Sequence, residues 1–212
     1  MVNKELRYKR IRQLVRKLNV IKRQQAGKID ILCNNIVVAQ KDFLKKLMTL
    51  SFVVNVYEQI AGQTDLSKAV NAASSLMTES LSSCGIAVLL LGSNDLQVHL
   101  FDCDTQDNPD VRQFIDCFTV ELVQNICDSN KLCFAEDMFA MGLQGNLAML
   151  NKISFAAVPL LCSGSAVGLI LVYRTKQDPL RNEELQRLAA ITPGLAKTIR
   201  SCQAVSQTLE SR

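Results

Sequence analysis

The residues able to do chemistry in this chain are one histidine, eight cysteines and a pair of adjacent acids. The cysteines are Cys33, Cys84, Cys103, Cys117, Cys127, Cys133, Cys162 and Cys202. No two form a C-x-x-C pair and His99 is the only imidazole, so the closely spaced ligands of a zinc site are not offered. Thiol catalysis needs a base within hydrogen-bond reach. His99 could serve only if folding brought Cys103, Cys133 or another thiol to it. On a strand His99 and Cys103 share a face but stand about 13 Å apart, at ~3.3 Å per residue. A histidine on the polar side of a strand is ordinarily solvated. No catalytic residue is assigned, and the chain reads as non-enzymatic.

Glu136-Asp137 could anchor a ligand or a metal, but adjacent acids at a strand end more often cap a helix or sit in a solvated turn. There is no G-x-x-x-x-G-K-[ST] loop and no G-x-G-x-x-G after a strand, so neither phosphate cradle is present. With no metal or nucleotide motif, the cofactor is unknown. One further set has the composition of a small-ligand cavity: His99, Phe101, Phe118, Phe134, Met138, Met141 and Phe155 combine apolar surface with a polar group. The same side chains would serve equally as core, since methionine is a common core filler.

The net charge of +4 hides an asymmetry. Residues 1–28 hold ten Lys/Arg against Glu5, a net of +9; the rest holds 14 basic and 19 acidic residues, a net of −5. Arg10, Arg12, Arg16, Lys17, Lys22 and Arg23 are the candidate basic surface. Such a block can meet nucleic acid, an acidic membrane surface or a protein partner, or can simply be a solvated helix face. The charged N-terminus has no apolar core of a secretory signal. No stretch approaches the ~18 apolar residues of a transmembrane helix. Scattered cysteines in such a chain read as reduced thiols of a cytoplasmic protein.

These residues must be positioned by regular elements. Between Glu5 and Ala61 there is no proline and one glycine, Gly27. Ile11, Leu14, Leu18 and Ile21 open a heptad seam that fails at Gln25 and Lys28. Restarted after a four-residue stutter, it runs Ile29, Leu32, Ile36, Ala39, Phe43, Lys46, Leu50, Val53, Tyr57 and Ile60. This predicts one long coiled-coil helix whose apolar seam needs a partner, or two helices broken at Gly27. Gly62-Gln63-Thr64-Asp65 ends that helix and caps the next, whose inner face is Leu66, Ala69, Val70, Ala73, Leu76 and Met77. Residues 86–91 form an apolar strand. After a Gly92–Asp95 turn, alternation over 96–101 predicts its hairpin partner. A polar loop over 102–109 precedes an amphipathic helix over 111–128. Residues 132–135 form a short strand ending at Glu136-Asp137, and 138–151 are ambiguous. Strands 153–161 and 166–173 form a second hairpin about Ser163-Gly164. A last helix starts near Asn182 and should kink at Pro193-Gly194. Two hairpins and a single strand predict an α+β domain, an antiparallel sheet with flanking helices.

The last third resembles a GAF domain. Phe155-Ala156-Ala157-Val158-Pro159-Leu160 is similar to that family's strand ending in Val-Pro-Leu. Residues 163–172 resemble its turn and Gly-x-Leu-x-Leu-type final strand, and 180–190 the opening of its C-terminal helix. Residues 132–137 resemble its strand that ends in an acidic residue beside the pocket, which adds Asp137 to the pocket candidates. The resemblance covers roughly residues 50–203. It implies a PAS-like antiparallel sheet and a sensory, signal-transducing module that is homodimeric through long helices. It also implies attachment to an output domain or protein partner and, in some members, small-ligand binding. At the level of architecture, a long charged helix feeding such a domain is similar to a bacterial family of small stand-alone proteins. The cyclic-nucleotide signature of some members is replaced by Tyr173-Arg174, Leu180 and Glu184-Leu185, so a cyclic nucleotide is disfavoured. Neither the Cys-His surroundings of bilin-binding members nor the redox cysteines of sulfoxide-reducing members are matched. The expected division is a dimerising basic helix over 1–49, the GAF-like domain over 50–204 and a tail over 205–212.

Overall fold

The structure, a computed structural model, describes residues 2–81, 83–92, 95–101 and 109–210. Ser93-Asn94 of the first hairpin turn, Ser82 and the 102–108 loop with Cys103 lie outside the described residues. The chain divides into two compact units, residues 1–48 and 49–212.

Helix α1 runs Val2–Ile60 without a break at Gly27. In its last turns Val56 and Ile60 are fully buried, with Phe52, Val53 and Tyr57 packed beside them. Val53, Tyr57 and Ile60 were expected in a seam awaiting a partner; the domain's own core takes them instead. Asp65 caps α2 (Leu66–Ser80), accepting from the Ser67 and Lys68 N–H groups.

The sheet comprises β1 (Gly85–Leu91), β2 (Leu96–Phe101), β3 (Cys133–Phe134), β4 (Ile153–Cys162) and β5 (Ser165–Thr175). Their order is β2-β1-β5-β4-β3, and every pairing is antiparallel. Ser163 and Gly164 both take positive φ, 52° and 81°, the two-residue turn whose twist suits a hairpin. At the sheet's centre Gly168 has φ 154°, and a Cβ there would collide with the carbonyl oxygen of Leu89. Alternation divides the core. Ile86, Val88, Leu90, Val158 and Ile170 face α2, the end of α1 and α7 (Asn182–Glu210). Ala87, Leu89, Ala157, Leu169 and Leu171 pack with residues of α3 (Pro109–Ile115), α4 (Val120–Ser129), α5 (Ala135–Ala140) and α6 (Leu147–Leu150).

Four expectations are corrected. The helix over 111–128 is two helices, because Thr119 turns extended (φ −83°, ψ 161°) and its hydroxyl accepts the Leu122 N–H, starting α4 afresh. Pro109 opens α3 rather than closing a loop, the helix position where its missing N–H costs nothing. The strand over 132–135 shortens to two residues. The Asp137 carboxylate takes the Phe134 N–H at 3.0 Å, which starts α5 at Ala135. Finally, α7 stays helical through 205–210, where a tail was expected. Within α7, Pro193 cannot donate to the Ala189 carbonyl; the Thr192 hydroxyl donates to it instead, at 2.9 Å. Gly194 lets the Tyr57 ring of α1 lie against α7, and the Tyr57 hydroxyl donates to the Ala190 carbonyl at 3.4 Å.

Candidate functional site

Beside β3 the sheet edge is incomplete. β5 pairs with β4 from Ile153 onward, whereas β3 covers only Ala156 and Ala157. A cleft of about 530 Å³ opens there. Phe134, Glu136, Asp137 and Phe139 wall it from the β3–α5 junction, and Leu150 and Asn151 from α6. Ile153, Ser154 and Phe155 of β4 line its sheet side, and Lys176 and Pro179 close it from the β5–α7 connection. Phe134 and Phe139 are 40% and 39% exposed, so two aromatic rings stand half in water. Asp137 has Lys131 Nζ at 3.9 Å, an exposed pair that contributes little. Three phenyl rings, two carboxylates, an amide, a hydroxyl and one ammonium suit an amphipathic molecule with donors or a cation at one end.

The connection carrying Lys176 and Pro179 is held by Arg174. This guanidinium lies in β5, 6% exposed. Its Nη1 donates to Asp178 at 3.0 Å and its Nη2 to Glu184 at 3.0 Å. Nε and Nη2 also point at the Cys84 sulfur, at 3.1 and 2.8 Å. Glu184 in turn accepts the Arg181 N–H at 2.9 Å, and Ser154 Oγ accepts the Leu180 N–H at 3.3 Å. The buried cation, through Asp178 and Glu184, and the backbone N–H groups of Leu180 and Arg181 thus fix the chain between β5 and α7. Burial pushes the Cys84 thiol up, and the hydrogen bonds and charge of Arg174 pull the other way without overcoming it. Cys84 is therefore a thiol and not an activated thiolate. Burial likewise pushes Cys127, which donates to the Gly168 carbonyl at 3.0 Å, to about 11.

The eight predicted pocket residues do not meet at one place. Phe134, Asp137 and Phe155 line the cleft. Phe118, Met138 and Met141 belong with Phe155 to the packed layer between the sheet and α3–α6. There Phe114 meets the rings of Phe118, Phe155 and Tyr173 at 5.5, 5.1 and 5.6 Å, all edge-on. His99 and Phe101 pair with Val88 and Ile86, which puts them on the opposite face of the sheet, toward α2 and α7. His99 Nε2 is buried with no partner among the described residues. The sheet order also separates His99 from Cys133: they lie on opposite edge strands, four inter-strand steps or about 19 Å apart. No cluster of three metal-ligating side chains occurs among the described residues.

Sequence reading missed Phe139, Ser154, Lys176 and the Arg174 cluster. Arg174 had a signal: a cation ending the apolar run 166–173, with Asp178 and Glu184 four and ten residues on. The other three are gathered by chain reversals that leave no periodic trace. Arg10, Arg12, Arg16, Lys17, Lys22 and Arg23 are all exposed on α1. No helix among the described residues is long and apolar enough to cross a membrane.

No protein-family model matches the sequence. No curated protein matches it either. Solved structures do. The GAF domain/HD domain protein from Geobacter sulfurreducens superposes with a TM-score of 0.54 at 16% identity, over 68% of this chain and 98% of that one. Residues 122 to 287 of a methyl-accepting chemotaxis protein give 0.52 at 13%, over 71% and 98%. The fRMsr of Staphylococcus aureus, solved in complex with substrate, gives 0.51 at 15%, over 71% and 95%. Residues after the long helix therefore have a GAF-like fold, one shared by signalling proteins and by at least one enzyme.

Proposed function

We propose that this chain is a non-enzymatic sensory and regulatory module that self-associates through its long helix and takes a small amphipathic ligand in the cleft beside β3. The observation that carries this reading is the continuity of α1. Ile29, Leu32, Ile36, Phe43 and Leu50 are exposed along one apolar stripe. The same unbroken helix ends as Val56 and Ile60, fully buried under the sheet. Such a helix couples what happens in the core to what covers its stripe. A ligand drives the coupling only if it binds two states of the domain unequally. Phe134, Asp137 and Phe155 line the proposed ligand cleft, and Arg174 positions its outer wall. The fold's occurrence in a chemotaxis protein favours signalling, and the raised thiols of Cys84 and Cys127 favour a non-catalytic role.

The test is the solution mass of the full chain with and without a soluble-metabolite fraction, by light scattering and native mass spectrometry. The reading expects twice the 23.5 kDa chain mass and a retained small molecule that Phe155→Ala releases. A monomer at micromolar concentration refutes the self-association, and a cleft that retains nothing refutes the ligand.

A further inference from the structure

The first turns of α1 differ from the stripe that follows. From Arg7 to Lys28 there are nine Lys/Arg and no acid, whereas 29–50 carries three lysines against Asp30 and Asp42. At 100° per residue, Ile11, Leu14, Val15, Leu18 and Ile21 fall in an arc of about 120°. These five side chains are 50–65% exposed. Tyr8, 70% exposed, stands at the arc's edge. Lys9, Arg12, Arg16 and Arg23 occupy the opposite face, Arg10, Lys17 and Lys28 one flank, and Arg7 and Lys22 lie within the arc. One aliphatic residue, Val20, falls on the polar side.

A second copy of the chain is a poor cover for this segment. In a parallel pair with Ile11, Leu14, Leu18 and Ile21 at the seam, Lys17 of one helix faces Lys22 of the other. Each partner would also bring nine unopposed cations. Nucleic acid would satisfy the cations but leave five aliphatics in water, and Tyr8 alone offers a ring for base stacking. An anionic bilayer satisfies both halves: the aliphatic arc enters the headgroup–acyl boundary, and the long Lys and Arg side chains reach out to lipid phosphates. We infer that residues 7–28 form a surface-lying amphipathic anchor for anionic lipid bilayers. With nine Lys/Arg the segment is too charged to span one, and it holds the chain at the surface by two additive attractions. This inference does not depend on the stripe after Ile29: the two stand or fall by different readouts.

The test is flotation of the full chain with phosphatidylcholine vesicles, with and without about one-third phosphatidylserine. The expected result is binding to the anionic vesicles about tenfold or more tighter than to the neutral ones, weakening as salt rises. Leu14→Asn with Leu18→Asn removes the arc and keeps the charge. Arg12→Gln, Arg16→Gln and Arg23→Gln together remove charge and keep the arc. Each set is expected to lower binding about tenfold while circular dichroism shows the helix retained. Failure to bind anionic vesicles overturns the proposal. So does binding that ignores the leucine substitutions. Tighter binding to duplex DNA than to vesicles, equally indifferent to the leucines, would assign the segment to nucleic acid instead.

Discussion

Arg174 stands where a strand would ordinarily carry an aliphatic residue. Its burial is tolerable because two carboxylates and a sulfur give each of the three guanidinium nitrogens a partner. Removing it strands Glu184, which is mostly buried beside it. Arg174→Ala is expected to lower stability by about 3 kcal/mol in chemical denaturation. Arg174→Lys should recover only part, since a single ammonium cannot fork between Asp178, Glu184 and Cys84. His99 offers a second residue-level test. Burial holds its pKa below the usual histidine range. Its unfolded form therefore binds a proton first as pH falls, and stability should decline as pH drops below about 6.5, histidine's unfolded value. His99→Gln should flatten that decline in melts across pH 7.5 to about 5. The sequence placed His99 on a strand, but whether its ring faced a pocket or α2 depended on strand register, which single-residue reading does not contain.

Among the elements, the strand hairpins were legible because period-two alternation, a Gly-rich turn and β-branched runs coincide. The helix over 111–128 was misread as one because its apolar positions keep phase across the break at Thr119. α3 ends at Ile115, and the Thr119 hydroxyl cap starts the ladder afresh as α4. The cleft was half legible for a related reason: Phe134 and Phe155 lie on strands and Asp137 in the helical turn directly after one, whereas Lys176 and Pro179 reach it through a loop. Two glycines separate conformational need from chance. Gly168→Ala sets a Cβ against Leu89 backbone and is expected to cost about 3 kcal/mol or prevent folding. Gly27 has open space around it in α1, so Gly27→Ala should raise helicity and stabilise that helix by about 1 kcal/mol. In α7, Thr192→Val removes the donor that replaces the absent Pro193 N–H and should cost about 1 kcal/mol by thermal melting.

For the whole molecule, residues 49–212 contain both buried layers and the cleft. A chain starting at Thr49 is expected to melt cooperatively and to run as a monomer in light scattering, having kept its core and lost the exposed stripe. By itself the sequence determined the antiparallel α+β class, the long helix and its charge split, because periodicity and charge are local properties written residue by residue. The tertiary structure alone decided which apolar positions are used within the domain and which stay uncovered. It also set His99 and Cys133 on opposite edges, and gathered Phe134, Lys176 and the Arg174 cluster at one end of the sheet. Those outcomes rest on strand order and on contacts between residues far apart in sequence, and no local pattern encodes either.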